Sequence, residues 1–303
     1  MTGRLNFKRE RGQMLAIVAV SIVAMCACGA FVMDVGAWYR AQRATQTAAD
    51  AAALAGAQQL PLNAFGAQAL ATEYADKNGG GLTETTFASQ TFLNDTISTK
   101  VERTSPAFLA RVLGLTSVDM SATASARAWN IGAARYAAPF GVIRTEPMLN
   151  LCSGVCFGSL YPTELDLNRV GPGSFKILNI DGSQGGTGPG TLSEWISGGL
   201  SGLMDIGWYW SDTGAKFSSG QVKDAMEARV GSDILLPIYD QTQGNGSNFE
   251  YRVIGWAGFR LTDFRAQGNN ATLNGYFVSV AWEGTPTDSP ANFFGAKVIK
   301  LVS

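Results

Sequence analysis

The chain of 303 residues contains no histidine. That excludes Ser-His-Asp and Cys-His nucleophile systems, haem ligation by His and most zinc sites. Carboxylate chemistry survives the exclusion. Charge is also scarce: Asp, Glu, Lys and Arg make up 16% of residues and the net charge is −1, so no field exists to draw in nucleic acid. The first proline is Pro61, so nothing rigid breaks a helix ahead of it. Cysteine occurs four times, as two close pairs.

What is present begins with residues 14–33, MLAIVAVSIVAMCACGAFVM, which hold no charge, Pro, Asn or Gln. A helix of that length, at about 1.5 Å per residue, matches a hydrocarbon layer roughly 30 Å thick. Helix also satisfies its own backbone in lipid. Asp34 ends the apolar run but carries no stop signal, and the alanine-rich sequence that follows favours helix up to Pro61. The expectation is one rod of about 45 residues, half in lipid and half in water. Arg4, Lys8, Arg9 and Arg11 precede the span against Glu10 alone, which places the N-terminus in the cytoplasm and Arg11 and Asp34 at the two membrane boundaries. Cleavage as a signal peptide, at Ala27-Cys28-Gly29, and lipidation of Cys26 or Cys28 are rival readings with poorer fit: the apolar core is longer than a signal peptide needs. An uncleaved signal anchor is the expectation.

Cys26 and Cys28 lie two apart on the helix, point in different directions and cannot bridge each other. Cys152 and Cys156 lie in NLCSGVCFGS, outside the cytoplasm on this topology, and are read as a short disulfide loop; a metal site there lacks two further ligands.

Beyond the span, Ala48, Ala52 and Gly56 recur every four residues. Such a row lets a second backbone approach closely. Two readings stand side by side: packing on the chain's own domain, or a docking face for another subunit's helix and so for a homo- or hetero-oligomer. Pro61 and Asn63 end the rod, and Ala67, Leu70, Ala71, Tyr74 and Ala75 mark one face of a second helix ending at residues 78–81. Residues 97–103 alternate as a strand. Ser105-Pro106 reads as the start of a short helix with Phe108, Leu109, Val112 and Leu113 on its apolar face. Residues 118–127 alternate again.

These pieces together carry a resemblance. RERGQ before the span, DVGAWYRAQRATQTAADAAALAGAQQL after it, then YADKNG, PAFLARVLG and SATASARA resemble the TadE/TadG-like family of Tad/Flp pilus assembly over about residues 9–128. Gln13, Asp34, Gly36, Tyr39, Arg43, Gln46, Asp50 and Gly56 match its pattern. The resemblance implies a membrane-anchored component of a bacterial tight-adherence pilus or related secretion apparatus, with other pilus-assembly or pilin subunits as partners. Residue 17 is Ile, where prepilin-like proteins processed after Gly12 carry glutamate.

From about Tyr136 the texture changes to Gly and aromatics. The expected strands there are residues 175–181, residues 234–239 as an edge containing Pro237, a hairpin of residues 251–264 and 273–282 turning at 267–270, and residues 296–302. A capping box at Thr191 and Glu194 and a cap at Ser218 or Ser219 start two helices. The fold class is α+β: a long transmembrane helix (14–33) after a basic cytoplasmic segment (1–13), a helical stalk and small pilin-like α/β domain (34–130), and a distal, mainly antiparallel α+β domain (136–303).

Chemistry is read as absent: no catalytic residue, cofactor or metal is expected. Asp181-Gly-Ser183-Gln-Gly185 lacks the second Ser of a metal-ion-dependent adhesion motif and reads as a turn. GGTGPG lacks the Lys of a phosphate loop. Glu164, Asp166, Asp240, Asp263 and Glu283 are the acids from which a hydrolytic pair would be drawn, and solvated turns are the simpler reading. Trp208-Tyr209-Trp210 supports the alternative of a membrane-tethered adhesin or glycan-binding module.

Overall fold

The computed structural model describes residues 10–302 apart from 153, 172–173, 213–215, 268–269 and 290–292. Arg4, Lys8 and Arg9 of the basic segment, and Gly268 and Asn269 of the hairpin turn, lie outside the described residues.

Helix α1 (Glu10–Ala57) runs unbroken for 48 residues, straight past Asp34. It stops where the Leu60-Pro61 peptide is cis. Asn63 then caps α2 (Ala64–Lys77), its Oδ1 accepting the Gly66 N–H at 2.8 Å.

The chain forms two compact units, neither of them one continuous segment. The first holds α1 and α2, β1 (Gly81–Ala88), β2 (Thr96–Pro106) and the opening part of β3 (Ser117–Ala134), with Leu301 and Val302 from the far end of the chain. β1 and β2 are antiparallel, and the strand order is β1-β2-β3. Its core is small: Ala48, Ala49, Ala52, Ala53, Ala67, Ala71 and Ala75 are fully buried with Ile97 and Val101. The alternation read over residues 97–101 holds, with Ile97, Thr99 and Val101 inward. On α2 only the alanines turn inward, while Tyr74 is exposed beneath Lys77.

Three details of this unit differ from expectation. β1 was not foreseen, because GLTETTFA shows no apolar alternation and its burial pattern is correspondingly shallow. Ser105-Pro106 closes a strand instead of opening a helix; the following turn is 3-10, Ala110–Leu113, ended by Gly114 at φ 85°. β3 runs on past residue 127 to Ala134.

The second unit comprises Ser89–Asp95 and Arg127–Lys300. Its main sheet contains β4 (Val142–Ile143), β5 (Thr163–Asp166), β6 (Gly207–Trp210), β7 (Asp233–Gln243), β8 (Glu250–Gln267) and β9 (Asn270–Val278). The order is β4-β7-β8-β9-β5 with β6 also on β8, and every pairing is antiparallel except β4 with β7. Within this unit β3 pairs with β10 (Gly284–Thr287), and β11 (Ala296–Val302) closes the strand list. Helices α3 (Pro189–Gly198) and α4 (Gly220–Arg229) pack on each other, and α4 contacts β8. The core is aromatic: Tyr239 meets Tyr251 edge-on at 4.7 Å and Phe259 meets Phe277 at 5.3 Å between ring centres.

Here too some expectations give way. Residues 175–181 make only short pairings and bridges before a turn, and the apolar Ile177, Leu178 and Ile180 are buried in the main core. The capping box at Thr191 does not form, since α3 starts earlier with Pro189 in its first turn and Gly188 as cap. Ser219 stands at the cap of α4 without a side-chain bond. β7 is not an edge strand along its whole length: Pro237 faces Trp256 of β8, and β4 joins on the other side at Ile238 and Tyr239.

Candidate functional site

The candidate site is the passage of α1 from its apolar half into its packed half. Over residues 14–33 the large side chains are bare, from Met14 at 68% exposed to Met33 at 66%, and Cys26 and Cys28 are free and exposed. This is one helix long and apolar enough to cross a membrane, and among the described residues none of its apolar window is buried.

At Asp34 the surroundings change. Its carboxylate is 2% exposed. It accepts N–H bonds from Phe108 at 2.9 Å, Leu109 at 3.0 Å and Ala110 at 2.6 Å. Those are the leading amides of the 3-10 turn, which no internal bond satisfies. The boundary residue is therefore also a cap supplied from a distant part of the chain.

The following turns explain most of the other matched positions. The Arg43 guanidinium donates to the Tyr39 hydroxyl at 2.6 Å and lies over its ring, 5.2 Å from the centre. Gln42 donates to the Ser121 carbonyl at 3.0 Å and Gln46 to that of Thr123 at 3.3 Å, so both amides fasten α1 to β3. Gln46 also reaches Asp50 at 2.8 Å. The Gln13 side chain is not described, and a Cβ on Gly36 would meet nothing within 4 Å.

The small-residue row is occupied from inside. Ala48 and Ala52 are fully buried. A Cβ on Gly56 would fall 2.6 Å from Ile97 Cδ1 and 3.0 Å from the Ala67 carbonyl. A Cβ on Gly80 would come to 3.3 Å from that of Ala48. The Thr99 hydroxyl donates to the Ala49 carbonyl at 3.1 Å. The reading of Ala48, Ala52 and Gly56 as a face for another subunit's helix is thus corrected: α2, β2 and Gly80 of the same chain already fill it. Of the boundary pair, Asp34 has just been placed, and Arg11 lies in the first turns of α1 with its side chain not described.

The remaining candidates do not converge. Cys152 and Cys156 are disulfide-bonded, with Cα atoms 5.2 Å apart. Asp181 Oδ1 accepts the Ser183 N–H at 2.9 Å and its hydroxyl at 2.7 Å, so that carboxylate braces its own turn. Asp240 is paired with Arg252, whose hydrogen bonds hold the carboxyl below the usual carboxylate range. Asp263 pairs with Arg265 at 2.9 Å and Glu283 with Arg135 at 3.2 Å. Asp166 accepts the Asn168 N–H at 2.7 Å, and Glu164 is exposed on β5. Trp208 is 39% exposed, while Tyr209 and Trp210 are half-buried and the Tyr209 hydroxyl donates to the Asp205 carbonyl at 2.9 Å. Among the described residues no cluster of three or more metal-ligating side chains occurs.

Three buried charges escaped the sequence reading. Asp95 is fully buried, takes N–H bonds from Gln90, Thr91 and Phe92, and pairs with Arg127 at 3.3 Å. Asp212, also fully buried, pairs with Lys216 and accepts the Thr187 hydroxyl at 2.6 Å. Lys297 is 1% exposed, donates to Ser279 Oγ at 3.1 Å, and burial pushes its ammonium down to about 8. Each partner lies far off or in a turn, so no local pattern announces it.

No curated protein and no solved structure matches the chain. Residues 12–59, the segment just described, match the family described as putative Flp pilus-assembly TadE/G-like.

Proposed function

We propose that this protein is a single-pass structural component of a bacterial tight-adherence (Flp-type) pilus or a related secretion apparatus. It is anchored in the cytoplasmic membrane, with its N-terminus inside the cell and both units outside. The observation that carries the reading is the continuity of α1: the bare apolar half and the packed half are one helix, and the family match spans both. Lipid burial of the apolar half holds the chain in place without covalent attachment. Its partners are the bilayer and other pilus subunits. Since the small-residue row is filled internally, subunit contacts fall to other surfaces, and Leu62 (51% exposed) and Phe65 (86% exposed) at the start of α2 are apolar side chains left available. The role is structural and not catalytic; the pairing of Asp240, Asp263 and Glu283 with arginines supports that.

The test is co-purification of the tagged full chain, after cross-linking, from membranes of its own bacterium. Pilin and assembly-platform proteins are expected with it. A chain that brings down neither, and whose deletion leaves piliation intact, refutes the assignment. Orientation is tested separately: a C-terminal tag must be digestible by protease added to intact protoplasts.

A further inference from the structure

The turn that Asp34 caps points a row of apolar side chains at the wrong kind of solvent. In residues 107–116 Phe108 is 69% exposed, Leu109 43%, Val112 86% and Leu115 44%. The one charged residue of the segment is Arg111, itself exposed. This loop does not stand clear of the molecule. It lies along α1, and between them runs an apolar groove of 630 Å³ lined by Cys26, Phe31, Trp38, Leu109, Val112 and Leu115 among others. Val23, Cys26, Ala27 and Phe31 of that lining belong to the segment that the proposed function places in lipid, so the loop's side chains share its depth. The indole Nε1 of Trp38 is buried there and donates to no acceptor among the described residues.

Asp34 fits the same picture. The first charge after the apolar run is shielded by three N–H groups and by the loop itself. The next charged residue on α1 is Arg40, after Val35, Gly36, Ala37, Trp38 and Tyr39. From Arg11 to Arg40 the helix rises about 44 Å at about 1.5 Å per residue, which equals a bilayer with its headgroups, about 40–45 Å. Asp34 then sits inside the outer interface, and Trp38 and Tyr39 sit at the level aromatic side chains prefer.

We propose that residues 107–116 form a second membrane contact: the loop embeds in the leaflet at the water-side end of the span, and lipid acyl chains fill the groove between it and α1. Arg111 reaches back along its aliphatic stem to headgroup phosphate. The two contacts together fix the tilt of α1, which a lone helix leaves free. The inference rests on the membrane-anchor reading above, and its test separates the two.

Nitroxide labels are placed on Val112→Cys, Phe31→Cys and Phe65→Cys, each in the full chain with Cys26→Ser and Cys28→Ser, in proteoliposomes. Collision with oxygen, which partitions into lipid, is compared with collision with a water-soluble nickel chelate. Val112 is so exposed that the label disturbs no packing. The expected result is an oxygen-over-nickel ratio at Val112 close to that at Phe31 and several-fold above that at Phe65. A ratio at Val112 equal to that at Phe65, with Phe31 in lipid, overturns the loop contact and leaves the anchor standing. A watery Phe31 overturns both. Dipolar broadening at Val112 that vanishes on dilution with unlabelled chain puts a second copy in the groove and also overturns the proposal.

Discussion

Asp34 and Lys297 are both buried charges, held in different surroundings. Asp34 collects three backbone donors; replacing it with Ala leaves those N–H groups unpaired, at about 1–3 kcal/mol. Amide exchange at Phe108, Leu109 and Ala110, followed in nanodiscs, is expected to quicken in Asp34→Ala and stay slow elsewhere in the unit. Unaltered exchange at those three amides would contradict the cap. Lys297 has burial acting against its charge. Its folded pKa, about 8, lies below its unfolded value, so between pH 8 and 10 the unfolded chain binds the extra proton and stability rises with pH. The full difference is on the order of 3 kcal/mol. Urea midpoints of the wild type should climb through that window and those of Lys297→Met should not. The sequence made Asp34 conspicuous as the first charge after the span, but its donors come 74 to 76 residues later, and no periodicity joins such positions. Lys297 lies in a strand whose first three residues are all buried, so no alternation distinguishes an inward lysine from an outward one.

At the scale of elements, α1 was legible almost to its last turn, because length, alanine content and the absence of proline all agree. Its spacing of small residues was legible as well. What covers them was not, since a row of alanines and one glycine fits any close backbone, from this chain or another. The geometry now predicts the cost of filling the row. Gly56→Leu places carbon on Ile97 and on the Ala67 carbonyl, so overpacking of roughly 1–3 kcal/mol or more is expected. Thermal unfolding of the purified chain should show a lower midpoint for Gly56→Leu, with Phe65→Leu, on exposed surface, unchanged. The 3-10 turn was misread because Ser105-Pro106 satisfies the rules for a helix start as well as for a strand end; the deciding partner, β3, lies beyond it. Linking Cys152 to Cys156 closes a short loop, so its entropic contribution is about 2 kcal/mol. Cys152→Ser with Cys156→Ser should loosen residues around Met148, whose carbonyl accepts the Cys156 N–H, as seen by faster proteolysis there.

For the whole molecule, removing residues 1–33 should move the protein from the membrane fraction to the soluble one, because the bare apolar half of α1 goes with them. Retention of the shortened chain in salt-washed membranes at wild-type level would argue for attachment through another surface. Mixed α+β character could be read from the run of patterns along the chain. The allocation of segments to units could not: Ser89–Asp95 joins the later unit through the bonds of Asp95, and Leu301 and Val302 join the earlier one. Composition reports on a stretch, whereas such assignments depend on pairs of stretches.

That return of Leu301 and Val302 to the unit that holds α1 sets an order of events during synthesis. The segment that enters the membrane is the first to leave the ribosome, yet the body it carries lacks two of its residues until number 302 has been made. Between those moments the unit stands without the last piece of its chain.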